Sequence, residues 1–299
     1  GQIVDAWGDP DLTILPRSSC KMVQALPLVE SGAAKAFGLT PEQLALACAS
    51  HNGAAIHTDR VTRWLTDLEL DDTALRCGPQ VPSDAPARDA MTKADASPCQ
   101  YHNNCSGKHT GFLTLSKHLG ADAEYVLPDH PIQKAALEAF EETTGETSPG
   151  HAIDGCSAPN FATSLAGLAR AMAQFAGSRT GVRGDAMRQL FEAMVAHPDL
   201  VAGEGRACTE LMRAMDGAVA VKTGAEGVFT AIIPSLGFGV ALKIEDGTAR
   251  ASECAMASIL VRLGVLQADH PATLRRRNAE IRNRRDVVTG YMHPSAALL

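Results

Sequence analysis

A serine and a lysine three residues apart can serve as nucleophile and base, and this chain carries such a pair in Ser18-Ser19-Cys20-Lys21. On a helix the two lie one turn apart on one face, within reach of each other. A neutral lysine amine then accepts the serine proton as the oxygen attacks. Lysine is ordinarily protonated at neutral pH, so burial and a second positive charge must bring its pKa down to about 7 to 8. Lys222-Thr223-Gly224 supplies that second cation, and Ser50-His51-Asn52 supplies a second serine with polar neighbours. A lone Ser-x-x-Lys occurs by chance in many chains. Three such motifs in this order make a much narrower pattern. Backbone N–H groups at the start of the Ser18 helix are candidate oxyanion donors, and Arg17 is a candidate partner for a substrate carboxylate.

A second set of residues suits a metal. Tyr101-His102-Asn103-Asn104-Cys105-Ser106-Gly107-Lys108-His109 gathers ligand-capable groups in one run, and Asp154-Gly155-Cys156-Ser157-Ala158-Pro159 places another cysteine before a proline. Both cysteines are expected at helix N-termini, where the dipole favours thiolate, and thiolates are good zinc ligands. Neither belongs to a Cys-x-x-Cys pair, so spacing leaves two readings open: a zinc site, or inert buried thiols. The eight cysteines of the chain are scattered, which fits thiols or metal ligands better than a disulfide framework.

The elements that must position these groups alternate along the chain. Gln2-Ile3-Val4 and Leu12-Thr13-Ile14 read as short strands about an Asp9-Pro10 turn, and a helix is expected from Ser18 to about Glu30 with Pro27 as a kink or stop. Thr40-Pro41-Glu42-Gln43 is a capping box that opens a helix delivering Ser50 to its end. Val61, Trp64, Leu65 and Leu68 have helical spacing, and the Pro- and Asp-rich stretch from Cys77 to Pro98 reads as an irregular loop. Helices are expected over Lys108 to Leu119, from Pro131, from Pro159, around Met187 to Met194, around Cys208 to Met215 and from Ser252 to Leu263. Ala218 to Val221, Val228 to Ile233 and Phe238 to Ile244 read as three strands.

Strands at both chain ends therefore predict one antiparallel sheet flanked by helices, with a helical lobe of roughly 55–215 inserted between them. This is an α+β layout of the β-lactamase type, in a single domain over 1–299. The formal net charge of -7 argues against a general nucleic-acid binder. No stretch approaches the roughly 20 apolar residues that span a bilayer, and no signal peptide is visible, so cytoplasm is the default. The sequence opens on Gly1 rather than Met, and a native segment is expected before it.

Ser-x-x-Lys, Ser-x-Asn and Lys-Thr-Gly in this order resemble the signatures of serine β-lactamases and penicillin-binding proteins. A more specific resemblance covers nearly the whole chain. Pro16-Arg17-Ser18 through Lys21, Gln24 through Gly32, Leu44 through His51 and His102-Asn103-Asn104-Cys105-Ser106-Gly107-Lys108-His109 resemble the rhizobial-type (class 3) L-asparaginase family. Asp129-His130-Pro131, Asp154-Gly155-Cys156, Pro159 and Val221 through Gly227 continue that likeness in order. The family is related in fold to serine β-lactamases and serine-dependent glutaminases. The resemblance implies hydrolysis of the side-chain amide of L-asparagine to L-aspartate and ammonia. It matches Ser18 with Lys21 and Ser50 with Lys222 to two Ser–Lys pairs, and Cys105, Lys108 and Cys156 to a zinc site. Asp154 and His109 would then support the ligands from behind. Ser18 is expected to attack with Lys21 as base, while Ser50 and Lys222 relay the proton.

Asn52 stands where the family more often has serine. With His51 it is expected to line the substrate cleft. A homodimer is the expected assembly, with a small-molecule substrate and neither nucleic acid nor membrane as partner. Blander roles are expected elsewhere. His57, His118, His197 and His270 read as surface residues, the methionines from Met172 to Met215 as core, and Cys208 as buried packing, although the resemblance hints that it lies near the site. Arg275-Arg276-Arg277, with Arg282, Arg284 and Arg285, reads as a solvated face or subunit contact. Rival functions are a serine-dependent glutaminase, a β-lactamase-like acyl-serine hydrolase and a non-catalytic zinc-binding protein.

Overall fold

Ser-x-x-Lys does not open a regular α-helix. In the computed structural model, which describes residues 1–177 and 180–298, β1 (Thr13–Ile14) leads through Pro16 into a 3-10 turn, Arg17–Cys20, and only then into α1 (Lys21–Gln24). α2 (Leu26–Glu30) restarts after Ala25 with Pro27 in its first turn, so the proline marks a break, as its missing N–H dictates. α3 (Ala33–Ala36) follows. Thr40 caps α4 (Pro41–Ala47) in the expected box: Thr40 Oγ1 accepts the Gln43 N–H, and Gln43 Oε1 accepts the Thr40 N–H. Next come α5 (Ala55–Asp67), α6 (Ala85–Lys93) and α7 (Ser106–Leu119), the last ending at left-handed Gly120. α6 lies inside the stretch expected to be irregular. Asp84 caps it by accepting the Ala87 N–H, and Pro86 sits in its first turn, so residues that suggested a loop act as a helix start.

α8 (Pro131–Thr144) precedes β2 (His151–Ile153), β3 (Pro159–Phe161) and β4 (Thr163–Ser164). Pro159 therefore opens a strand, antiparallel to β2, rather than the expected helix. The first residue of a strand tolerates the missing donor. The helix itself, α9, runs Leu165–Gly177. α10 (Gly181–Ala196), α11 (Pro198–Val201) and α12 (Ala207–Ala214) complete the helical middle. β5 (Ala220–Thr223), β6 (Val228–Ile233) and β7 (Phe238–Lys243) form the expected antiparallel meander. α13 (Ala249–Arg262), α14 (Pro271–Arg277) and the hairpin of β8 (Glu280–Arg282) with β9 (Val288–Tyr291) finish the described chain. The architecture is mixed α+β. Among the described residues no helix is long and apolar enough to cross a membrane.

The two chain ends do not share one sheet. β1 pairs with β4, whereas β5, β6 and β7 form a separate sheet among the described residues. Gln2-Ile3-Val4 makes no strand, and Ile3 and Val4 are exposed. The physical reason lies in α9, whose start takes the N-terminal backbone: Leu165 N–H donates to Leu12 O and Ala166 N–H to Pro10 O. The meander is covered by helices instead. α9 lies across β6 and β7, α13 packs on the same strands, and α12 packs on β5. Every residue of β6 is consequently buried, which explains its unbroken apolar run apart from Thr230. The methionines Met172, Met187, Met194 and Met212 belong to the core, as expected. In the basic C-terminal segment Arg275 and Arg276 both pair with Glu210, and Arg276 also pairs with Glu253.

Three close approaches bring the motif segments together. Thr230 Oγ1 donates from β6 to Ser19 O at 3.0 Å, anchoring the 3-10 turn to the sheet. A Cβ on Gly224 would lie 2.6 Å from Pro16 O, so glycine lets the Lys-Thr-Gly turn abut the Ser18 turn. A Cβ on Gly107 would lie 2.4 Å from Leu46 O, where α7 crosses α4. That crossing fixes Cys105 and Lys108 against the end of the helix that carries Ser50. Gly107→Ala should therefore force the helices apart and cost about 1–3 kcal/mol. Thermal unfolding should show the loss. Gly155→Ala, where a Cβ meets nothing within 4 Å, should change stability by no more than about 0.5 kcal/mol; equal behaviour of the two variants would refute the crossing as a stability determinant.

Candidate active site

Backbone pairing sets the position of Ser50. Ser50 N–H donates to Val201 O at 2.9 Å, His51 N–H to Asn104 O at 3.2 Å and Asn52 N–H to Ala202 O at 2.9 Å. The segment is thus held between the end of α11 and the turn before α7. Ser50 Oγ accepts from two amines, Lys222 Nζ at 2.8 Å and Lys21 Nζ at 3.0 Å. Both lysines are only 1% exposed, which decides their chemistry, since water cannot stabilise either charge. Lys21 Nζ also donates to Ala49 O at 2.5 Å and to Cys105 Sγ at 3.1 Å, so its three donors meet three acceptors. Lys222 Nζ has a second partner in Thr223 O at 2.8 Å. Burial pulls the Lys222 pKa down to about 7, and the nearby Lys21 and Arg206 push in the same direction against the Cys208 and Cys105 sulfurs.

The structure therefore brings Lys21, Ser50 and Lys222 together. Among the described residues Lys21 makes no side-chain hydrogen bond to Ser18. Instead, the Lys21 N–H bonds Ser18 O across the 3-10 turn. Ser18 is half-buried, the more open of the two serines. The turn around it is strained, because Arg17 has φ +55° without being glycine. Arg17 N–H donates to Asn160 Oδ1 at 3.3 Å, and its guanidinium is taken by Asp154 at 2.8 Å and Glu226 at 2.6 Å. The candidate carboxylate binder is thus already paired. Asn160 Nδ2 is buried beside it with no hydrogen-bond partner among the described residues.

His51 and Asn52 are engaged within the fold. His51 Nδ1 accepts from Gly53 N–H at 3.2 Å, so Nε2 carries the proton towards Ser106 Oγ at 2.9 Å. Burial first, then the neighbouring His57 and Lys21, hold His51 neutral, well below its usual pKa. Its ring stacks on His57 with centroids 4.8 Å apart. His57 is therefore not a surface residue: it is fully buried, and Nε2 bonds Asp199 O at 2.8 Å. Asn52 is 5% exposed and packs on Gly203, where a Cβ would lie 2.4 Å from Asn52 Cγ. Cys208 is buried as expected, and it also touches the site: Thr223 N–H donates to its sulfur at 3.2 Å.

Cys105, Lys108 and Cys156 converge beside this cluster. Cys105 caps α7. Cys156 sits in the turn between β2 and β3, not at a helix start, and Ser157 after it is left-handed at φ +69°. Lys108 Nζ is buried and donates to Cys156 Sγ at 3.2 Å. The neighbouring Cys105 thiol, opposed by burial and helped by Lys108 and His109, holds Cys156 well below the usual thiol pKa, while Cys105 Sγ itself donates to Asn104 Oδ1 at 2.9 Å. Burial disfavours the Lys108 ammonium, but the Cys156 and Cys105 sulfurs outweigh it and raise its pKa. The Lys108 amine and the Cys156 sulfur thus already face each other at 3.2 Å. His109 Nδ1 meets Tyr125 OH at 2.9 Å, while its buried Nε2 has no hydrogen-bond partner among the described residues. Burial lowers the His109 pKa to about 4, with the Cys156 sulfur acting in the opposite sense. Asp154 faces Arg17 rather than a ligand lysine. No group of three or more His, Cys, Asp or Glu able to hold a metal occurs among the described residues. Two sulfurs and an amine nevertheless form a donor set that suits zinc chemically.

Sequence reading passed over Asn160, Thr230 and Arg206. Asn160 falls within the helix expected from Pro159, Thr230 lies in an otherwise apolar strand, and Arg206 stands alone between Gly205 and α12 with no motif around it. Comparison with curated proteins gives no match. The family profile described as L-asparaginase II matches residues 1–294. That span includes every residue of the site, so the chain belongs to the L-asparaginase II family, which supports an asparaginase-type hydrolytic function.

Proposed function

We propose that the protein hydrolyses the side-chain amide of L-asparagine to L-aspartate and ammonia through an acyl-serine, on a β-lactamase-like scaffold. The observation that carries the chemistry is Ser50 Oγ held between Lys21 Nζ and Lys222 Nζ. In its neutral form the Lys222 amine still donates to Thr223 O, and the 2.8 Å contact with Ser50 reverses, so that the serine hydroxyl donates to the lysine lone pair. Ser50 Oγ then attacks the amide carbon, and the proton passes to Lys222. Collapse of the tetrahedral intermediate breaks the C–N bond, and Lys222 returns the proton to the leaving ammonia. Water attacks the resulting ester with Lys222 again as base, which releases aspartate and restores Ser50. Burial, with Lys21 and Arg206 nearby, favours the neutral Lys222 that this step needs. A second reading gives the attack to Ser18, favoured by its greater exposure in the strained turn, with Ser50 as proton relay.

Zinc is the proposed cofactor, with Cys105, Lys108 and Cys156 as its ligands. When bound there, it would supply a positive charge beside the pocket that orients substrate. A glutaminase reading differs by one methylene in substrate, worth about 1–3 kcal/mol of discrimination.

Ser50→Ala, Lys21→Ala and Lys222→Ala should each lower kcat for asparagine by several orders of magnitude with the fold intact. The double variant Ser50→Ala/Lys222→Ala should be little worse than either single. Mass spectrometry of quenched turnover should place the acyl group on Ser50 and keep it there in Ser18→Ala. An acyl group on Ser18 would transfer the nucleophile's role to that residue. If no amide among asparagine, glutamine and their homologues releases ammonia, the hydrolase reading fails.

The pH profile follows from Lys222, faced by Lys21, Arg206, Cys208, Cys105 and Cys48. Below its pKa the amine is protonated and cannot accept the serine proton, so kcat/KM should fall as pH drops through about 7 and level off above it. A rate unchanged from about pH 5 to 9 would contradict lysine base catalysis.

Metal content gives the remaining test. Cys105→Ala or Cys156→Ala should abolish stoichiometric zinc measured by elemental analysis. Cys20→Ala and Cys77→Ala should not, since burial pushes both thiols up to about 12 and leaves them inert. Protein that takes up no zinc at neutral pH, even after reconstitution, would remove the metal from the proposal.

A further inference from the structure

An amino-acid amide brings a carboxylate as well as a scissile bond, and the arrangement described so far leaves that carboxylate without a partner. Arg17 is paired twice. Lys21 and Lys222 have their donors directed to Ser50, backbone carbonyls and Cys105. Arg206 differs. It precedes α12, at the end of the loop whose Val201 and Ala202 carbonyls hold Ser50 and Asn52. It is half-buried, and its guanidinium makes no hydrogen bond or ion pair among the described residues.

The surrounding carboxylates are already committed. Glu204 is held by Arg213 at 2.7 Å, and Glu210 is held by Arg275 and Arg276. Arg276 also donates to Gly205 O at 2.9 Å, which fixes the residue just before Arg206. Arg206 is close enough to Lys222 and His51 for its charge to act on both. A fork of donors is thus left unpaired on the loop that is bonded to the serine's own backbone, and the Arg206 N–H donates to Gly203 O, the glycine on which Asn52 packs. We propose that the Arg206 guanidinium binds the α-carboxylate of the amino-acid substrate and of its product, fixing the side-chain amide over the serine.

The proposal deepens the asparaginase reading and rests on it for the identity of the ligand. Arginine suits the task because its planar fork matches a carboxylate through two parallel bonds, which lysine cannot reproduce. Arg206→Gln should raise KM for asparagine by about 10- to 100-fold, the loss expected for charged hydrogen bonds, with a much smaller change in kcat. Arg206→Lys should fall between. The preference for asparagine over 3-aminopropanamide, which is asparagine without its α-carboxylate, should collapse in Arg206→Gln. It should persist in Arg188→Gln, a control on α10 whose guanidinium is paired with Asp185 and Glu192. Equal losses for both amides in Arg206→Gln, or an unchanged KM for asparagine, would overturn the assignment.

Calorimetric titration with L-aspartate separates this proposal from the hydrolase reading. Aspartate that binds wild type and binds Arg206→Gln at least about tenfold more weakly supports the subsite even in a protein that releases no ammonia. Equal binding by the two, or none by wild type, rejects it.

Discussion

Two buried amines sharing one hydroxyl is the constraint on which the site depends. Lys21 and Lys222 both lie within hydrogen-bond distance of Ser50 Oγ, so the two nitrogens are within about 6 Å of each other. Two full charges at that separation repel by about 3 kcal/mol at an effective dielectric near 20. Burial adds its own penalty for each. Together these terms weigh against two charged amines, and burial brings the Lys222 pKa down to about 7. Lys21 has an acceptor for each of its three donors, whereas Lys222 has two partners and a shared surface with Cys208. The geometry thus gives two chemically identical side chains different surroundings, which the proposed mechanism uses by making Lys222 the base.

Holding that arrangement requires three segments far apart in sequence to meet without slack. The contacts that do so are mostly backbone. The Ser50 segment is strapped between residues 201–202 and Asn104, the Ser18 turn is bonded to Thr230, and Gly224 lets β5 end directly against Pro16. Side-chain contacts alone would let long lysines choose other rotamers. Because their roots are fixed in covered elements, the amines reach Ser50 with little conformational freedom left. The strain stored at Arg17 is maintained by the same packing, with Asn160, Asp154 and Glu226 each holding one part of that residue.

The motifs were legible in the sequence because each depends on residue type at short spacing. The capping box at Thr40, the helix closed by Gly120 and the late meander were legible for the same reason: their signals are local. What local signals miss is partnership. The helical spacing of Ser18 and Lys21 suggested a mutual bond, but a 3-10 turn intervenes and Lys21 reaches across to Ser50. Pro159 looked like a helix start because Phe161, Leu165 and Leu168 continue a helical stripe, yet pairing with β2 claimed the first of these. His57 looked like a surface residue because nothing near it in sequence predicts the His51 stack. Nothing local marks Arg206 either, because its open guanidinium depends on Glu204 and Glu210 being held by other arginines.

The serine cluster and the thiol cluster are joined through one atom. Lys21 Nζ donates to Ser50 on one side and to Cys105 on the other, while Cys105 acts electrostatically on Cys156, the acceptor of the Lys108 amine. Any change in charge at the sulfurs therefore alters the field at Lys222. Removing a thiol does more than remove a metal ligand, because it leaves Lys21 one acceptor short inside an apolar interior. Substitutions in the two clusters should not combine additively, since each cluster supplies partners to the other. The joint position of Lys21 also explains why the Ser-x-x-Lys turn and the Cys105–Lys108 stretch must be locked together by packing as close as that of Gly107 on Leu46.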